Sequence, residues 1–227
     1  MKPRRRLRDQ LLFARRSPLL LALATLGSAS VARADRGALT IDVGTGLTVL
    51  AVPAPYSENA KSQLGTMLPI WLGTRYALSQ SVELAASILY EPKVTYLHSN
   101  TTVTTSNGTF PGSLQHDLTQ YGGLVGIRFV HGFVLRLCAG LEAGLSVRNY
   151  SQVQHFDVSN PSAPTDWGLN LKDFTITNVV LAPLAGIEWA FADHFSVSFM
   201  PRVQILLGKE STFAVTAPFL FSWSWYL

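Results

Sequence analysis

The sequence has 227 residues, 48% of them hydrophobic and only 14% charged, with a formal net charge of +4. That positive balance is local, because eight of the 18 Lys and Arg but one of the 14 acids lie in residues 1–34, leaving ten basic against thirteen acidic residues in the remainder. A nucleic-acid partner, which the overall pI of 9.4 would suggest, is therefore excluded, and the single cysteine, Cys138, rules out an internal disulfide.

The chain opens with a basic stretch through Arg16, an apolar run from Leu19 to Leu26, and the small-residue site Ala32-Arg33-Ala34. This order predicts a secretory signal peptide over 1–34 and a mature domain over 35–227. The apolar run is far shorter than the roughly 20 residues a membrane helix needs.

Beyond it, eight stretches alternate with period two, the mark of a strand with two unlike faces. The first, Leu39 to Ala51, sets Leu39, Ile41, Val43, Leu47 and Val49 against Asp42 and two glycines; the second, Leu64 to Tyr76, sets Leu64, Leu68, Ile70, Leu72 and Tyr76 against Arg75. A turn at Ser79-Gln80-Ser81 leads to the third, where Val82, Leu84, Ile88, Tyr90, Val94 and Tyr96 oppose Glu83, Glu91 and Lys93. The fourth sets Tyr121, Val125, Ile127 and Phe129 against Arg128, and His131-Gly132 predicts the next tight turn. In the fifth, Phe133 to Val147 present alternate apolar residues while Arg136, Cys138, Glu142 and Arg148 face the other way. The sixth sets Val179, Leu181, Ile187, Trp189 and Phe191 against Glu188, and turns at Ala192-Asp193-His194; the seventh sets Phe195, Val197, Phe199, Val203, Ile205 and Leu207 against Arg202 and Gln204. The last, from Phe213, places Ala217, Phe219, Phe221, Trp223, Trp225 and Leu227 opposite Pro218, Ser222 and Ser224.

Every charge inside these stretches falls on the less apolar face: Asp42, Arg75, Glu83, Glu91, Lys93, Arg128, Arg136, Glu142, Arg148, Glu188 and Arg202. Lipid contact demands this, since a Lys or Arg on the lipid face at mid-bilayer costs roughly 2 to 4 kcal/mol. Connections alternate as well, tight at Ser79, His131 and Asp193, and long at 52–63, 97–117 and 151–172, with a shorter one at 208–211. The aromatics Tyr76, Phe129, Phe133, Trp189, Phe191, Phe195, Trp223 and Trp225 all lie beside the tight turns or the carboxyl terminus and predict a girdle at that interface.

The terminal alternation Phe219, Phe221, Trp223, Trp225, Leu227 resembles the closing strand of small bacterial outer-membrane β-barrels, the broad class that includes OmpA, OmpX and OmpW. The resemblance implies an all-β fold, an eight-stranded antiparallel up-and-down transmembrane barrel in the outer membrane of a Gram-negative bacterium. It also implies contact with outer-membrane lipid and lipopolysaccharide, and a terminal strand read by the barrel assembly machinery. A carboxyl-terminal peptidoglycan-binding domain is not expected, because the chain stops at the eighth strand.

Strands cross hydrocarbon only as a closed cylinder, and eight leave an interior that side chains can fill. The near balance of inward charges predicts a paired network, with Arg136 or Arg148 meeting Glu142 and Arg75 meeting Glu83, that plugs the lumen. Pro69, Pro92, Pro183, Pro201 and Pro218 each delete a ladder hydrogen bond and predict bulges. The inward apolar residues Met67, Trp71, Leu89, Leu124, Val180, Leu184 and Leu206 keep open a channel for small apolar molecules. The same pattern turned inside out would make a soluble lipocalin-like barrel.

Function is expected in the long loops. The segment 97–117 carries a Thr-rich run ending in Asn107-Gly108, a hairpin signal, whose exposed edge would recruit a surface partner. The segment 151–172, with His155, Phe156 and Trp167, is rich in the polar residues of a glycan-binding loop. His194-Phe195-Ser196 resembles the H-x-S pair of lipid A deacylases but falls at a tight turn, the wrong end for an outer-leaflet substrate. No catalytic residue, metal site or cofactor is expected, since metal-spaced His or Cys pairs and Gly-rich phosphate loops are missing.

Overall fold

Residues 37–57, 62–105, 108–165, 169, 171–209 and 211–226 are described by a computed structural model. The expected signal peptide, Asn107, Trp167 and Leu227 lie outside the described residues. Ten β-segments follow one another: β1 Ala38–Val52, β2 Gln63–Met67, β3 Ile70–Ser79, β4 Val82–Thr105, β5 Gly108–Gly132, β6 Leu135–Asp157, β7 Phe174–Ala192, β8 Phe195–Phe199, β9 Arg202–Leu207 and β10 Thr212–Tyr226. All pairings are antiparallel, and β1 pairs with β10 from Ala38 opposite Tyr226 to Leu50 opposite Ala214, so the sheet closes on itself. Because β2 and β3 both pair with β1, and β8 and β9 both bridge β7 to β10, the ten segments form eight wall strands.

The two-residue period decides which face each side chain takes. Ile41, Leu72, Ile88, Val125, Leu141, Leu181, Ile205 and Phe221 are exposed on the outside, while the neighbours between them are buried inside. A molecule that exposes so much branched apolar surface in a continuous belt is built for a lipid solvent. On β6 the belt runs from Leu135 to Val147, roughly 43 Å of strand or about 33 Å of height at a 40° tilt, close to a bilayer's hydrocarbon thickness. It ends on the long-loop side at Tyr90 and Tyr121, which face each other across β4 and β5.

Prolines mark the interruptions. Pro69 separates β2 from β3, and the Thr45 hydroxyl donates to its carbonyl at 2.8 Å. Three others share one break: Pro201 lies between β8 and β9, and Pro183 on β7 and Pro218 on β10 flank that gap. There the Met200 N–H donates to the Pro218 carbonyl and the Ala185 N–H to that of Pro201. Grouping the missing donors confines the damage to one level of the wall.

Pro92 has a larger effect. The β4–β5 register slips between Glu91 and Val94, and this bulge exchanges the faces beyond it until a second slip between His98 and Thr101 restores them. Tyr96, expected on the apolar outside with Val94, turns inward at 6% exposure, and Leu97 takes the outside. Two further expectations change. Phe133 lies in the turn rather than in the fifth strand, since β5 runs on to Gly132, whose φ of 113° suits glycine. Most of 97–117 is strand, because β4 and β5 run as one long hairpin, paired from Val82 opposite Phe129 to Thr105 opposite Gly108. Likewise β6 continues to Asp157 and shortens the loop expected from 151.

Candidate functional site

The interior is layered. Nearest the tight turns lies a balanced cluster of four arginines and four carboxylates, delivered by the inward positions of seven wall strands. Arg75 is its hub: Nε meets Asp42 at 2.9 Å, and Nη1 meets Glu188 at 2.9 Å and Glu83 at 3.1 Å. Arg136 bridges Glu83 at 2.9 Å and Glu188 at 3.2 Å, and the Ser196 hydroxyl donates to Glu188 at 2.6 Å. Glu142 takes Arg128 at 2.8 Å on one oxygen and Arg202 on the other, and the Arg202 guanidinium lies 4.0 Å from the centre of the Trp71 ring. The cavity between this cluster and the turn-side mouth holds about 20 Å³, room for little more than a water molecule.

This geometry corrects the expected pairing. Glu142 is held by Arg128 and Arg202, and neither Arg136 nor Arg148 reaches it, because Arg136 sits lower on β6 and Arg148 higher. Arg148 instead donates to Asn178 at 2.9 Å and to the Tyr150 hydroxyl at 3.4 Å. Lys93 leaves the lumen altogether. The Pro92 bulge turns it outward, where its side chain is 57% exposed and pairs with Asp117 at 2.9 Å.

Above the charges sits an apolar layer in which Leu50, Met67, Trp71, Leu89, Leu118, Leu124, Val180, Leu206 and Leu220 pack together, all buried. Polar residues interleave at its upper edge. Glu91 and Gln120 are register partners on β4 and β5, and Gln120 faces Arg148 on β6. Both Glu91 oxygens and both Gln120 amide atoms are buried without a hydrogen-bond partner among the described residues. Gln204 donates to Thr216 at 2.8 Å. Gln120, Asn178 and Thr216 were readable only as inward positions, since neither charge nor motif sets them apart.

Above the lipid belt, β4, β5 and β6 continue as a three-stranded sheet. Rings in contact line its inner side: Tyr96 and His98 against His116, and His116 against Tyr150, on which Phe174 of β7 stacks at 4.7 Å; Phe174 in turn meets Tyr56 of the loop after β1. The two imidazoles share one hydrogen bond, Nε2 to Nε2 at 3.1 Å. Burial, reinforced by His98, pushes His116 down to about 4, and burial lowers His98 too. Burial would raise Asp117, but the Thr95 hydroxyl and Lys93 hold it below the usual carboxylate range.

The two residues of the H-x-S pair, His194 and Ser196, bond to different partners. His194 Nδ1 is 3.0 Å from the Ser224 carbonyl, whereas the Ser196 hydroxyl is committed to Glu188. Asp157 accepts hydrogen bonds from the backbone N–H and hydroxyl of Ser159.

The aromatics near the turns gather on the outer surface of one half of the wall. Trp189, Phe191, Phe195, Trp223 and Trp225 form a chain of ring contacts between 4.5 and 6.4 Å, and Phe221 joins it through Phe195. Phe219 packs on Phe199 at 4.7 Å. Tyr76, Phe129 and Phe133 are exposed on the other half.

No protein-family model matches the sequence, and no curated protein matches it. Solved structures do resemble the fold. Neisserial surface protein A, NspA, is similar with a TM-score of 0.54 at 9% identity, over 82% of this chain and 98% of that one. The attachment invasion locus protein Ail of Yersinia pestis, in complex with the heparin analogue sucrose octasulfate, gives 0.49 at 13% identity over 84% and 99%. OprG from Pseudomonas aeruginosa gives 0.42 at 13% identity over 86% and 100%. Closed strand topology, a lipid-facing belt and the likeness to NspA together make this chain an eight-stranded β-barrel with the fold of the small outer-membrane proteins.

Proposed function

We propose that this protein is a closed outer-membrane scaffold that presents a protruding β-sheet to the cell exterior for surface interaction, without enzymatic activity. The observation that carries the reading is the length of β4 and β5. Residues 91–105 continue past the Tyr90 boundary, roughly 45 Å of strand at about 3.3 Å per residue. The β3 partner of β4 stops at Ile70 opposite Tyr90. Beyond it β2 touches β4 through the Tyr96 hydroxyl, which donates to the Thr66 carbonyl, and the Thr104 N–H donates to the Tyr56 carbonyl, but among the described residues no ladder pairs this stretch of the β4 edge. An unpaired edge offers main-chain donors and acceptors to an extended segment of another protein.

In this reading the paired arginines and carboxylates and the apolar layer above them close the lumen, which argues against passage of apolar solutes. Residues 1–34 serve export, and the alternation from Phe219 to Leu227 serves recognition by the assembly machinery. The Trp and Phe chain anchors the periplasmic interface.

Planar-bilayer recording of the refolded barrel, with hydrogen exchange along β4, tests both halves. The expected result is no steady conductance, and fast exchange at the edge amides of 97–103 beside slow exchange in 82–90. A stable open channel, or uniform protection to residue 103, would overturn it.

A further inference from the structure

The wall is notched at the exterior rim. β9 ends at Leu207, opposite Val179, while β7 rises on to Phe174, so among the described residues the upper part of β7 has a strand on its β6 side alone. The loop after β1 reaches across toward this gap and is fixed there at three points. The Tyr56 carbonyl accepts from the Thr104 N–H at 3.2 Å; its hydroxyl donates to the Lys172 carbonyl at 2.6 Å and accepts from the Lys172 N–H at 3.2 Å. Tyr56 holds φ at 59°, a region that costs a non-glycine residue energy and persists where its surroundings over-determine it.

These contacts frame a pocket of about 600 Å³ lined by Tyr56, Ser57, Thr104, Phe174, Thr177 and Lys209, with others. The size suits one or two sugar rings. With its hydroxyl tied to Lys172, Tyr56 remains 37% exposed, so its ring is what is left to meet a ligand. The Ser57 hydroxyl is buried without a partner among the described residues. Thr177 is the next outward position above Val179, where the lipid belt of β7 ends, so the pocket lies at the level of the lipid headgroups.

We propose that this notch binds an anionic saccharide, its ring laid on Tyr56, its hydroxyls met by Ser57, Thr104 and Thr177, and its phosphate or carboxylate held by Lys209. Aromatic rings take the apolar face of a pyranose while leaving its hydroxyls free to bond, and a lysine ammonium binds phosphate as a point charge. The site shares Thr104 with the far end of the β4 edge, but sugar titration reads the pocket and hydrogen exchange at 97–103 reads the edge, so either reading can fail without the other.

The test is calorimetric titration of the barrel in detergent micelles with a bisphosphorylated glucosamine disaccharide and, in parallel, with neutral chitobiose. The phosphorylated sugar should bind at least tenfold more tightly. K209Q should remove about tenfold of that affinity and T177V a few-fold, with both variants retaining the heat-dependent gel shift of the folded barrel. Equal affinity for the two sugars, no binding of either, or an unaltered K209Q would overturn the proposal. Repeating the titration in bilayers with and without lipopolysaccharide identifies the source: competition by the bilayer assigns the membrane's own headgroups, and unchanged affinity assigns a free glycan.

Discussion

Replacing Glu142 by Gln is the sharpest perturbation of the lumen. The side chain keeps its volume, so no cavity is opened, but the one carboxylate shared by two buried guanidinium groups is lost. Among the described residues Arg128 would retain the Met200 sulfur and one carboxylate, Asp42 at 3.8 Å, which is already engaged by Arg75. Arg202 would keep its Trp71 contact and no anion within salt-bridge distance among the described residues. Breaking a buried pair by removing one partner costs about 3–5 kcal/mol, which shifts the unfolding equilibrium by roughly two to four orders of magnitude. Urea unfolding in lipid vesicles, followed by tryptophan fluorescence, should show that loss for E142Q. D157N, at the exterior end of β6 and away from the lumen cluster, should stay within about 0.5 kcal/mol of the parent. The triple replacement R128M/E142M/R202M should recover most of the stability, since apolar residues of similar volume tolerate such a site. A cost below about 1 kcal/mol for E142Q would mean that water already solvates the two arginines, and the closed-lumen argument would fail.

Three other outcomes follow from the geometry. His116 and His98 have folded-state affinities for protons below the ordinary histidine value, so the fold binds fewer protons than the unfolded chain between about pH 6.5 and 4. Stability of the protruding sheet is therefore complete above pH 6.5 and declines as pH falls toward 4, by up to roughly 3 kcal/mol; hydrogen exchange of β4 and β5 against pH measures it, and H116Q should flatten the profile. At the closing seam, a Cβ on Gly44 would stand 2.0 Å from the Phe219 carbonyl oxygen, so G44A should impair closure and weaken the heat-dependent gel shift, whereas an alanine at Gly123, where the nearest atom is 3.8 Å away, should not. On the outside, L141K should cost about 2–4 kcal/mol in vesicles, and an unchanged stability would mean that this face does not meet lipid.

Strand directions and faces were legible because lipid outside and charge inside enforce period two more strictly than a half-solvated sheet does. Leu135 to Val147 could be read residue by residue for this reason. What escaped was fixed by spacing between strands rather than along them. Whether Arg136 or Arg202 reaches Glu142 depends on register and barrel stagger, which no single strand encodes. Pro92 announced an irregularity without saying that it would turn Lys93 outward and Tyr96 inward, since a bulge reverses the parity beyond it until the next slip, here between His98 and Thr101. Pro183, Pro201 and Pro218, far apart in sequence, met at one break for the same reason. Residues 97–117 looked like a loop because polar Thr and Ser replace the apolar alternation once the strands leave the lipid, although the β-branched run continues the strand.

The inside–outside assignment is most directly tested with brominated lipids, which quench tryptophans they touch. Variants that keep either Trp189, on the outer face, or Trp71, buried in the lumen, would be refolded into vesicles of brominated phosphatidylcholine. The structure predicts strong quenching of Trp189 and little of Trp71. Quenching of Trp71 with Trp189 spared, or a chain that stays in solution without entering the vesicles, would invert the faces and contradict the membrane barrel.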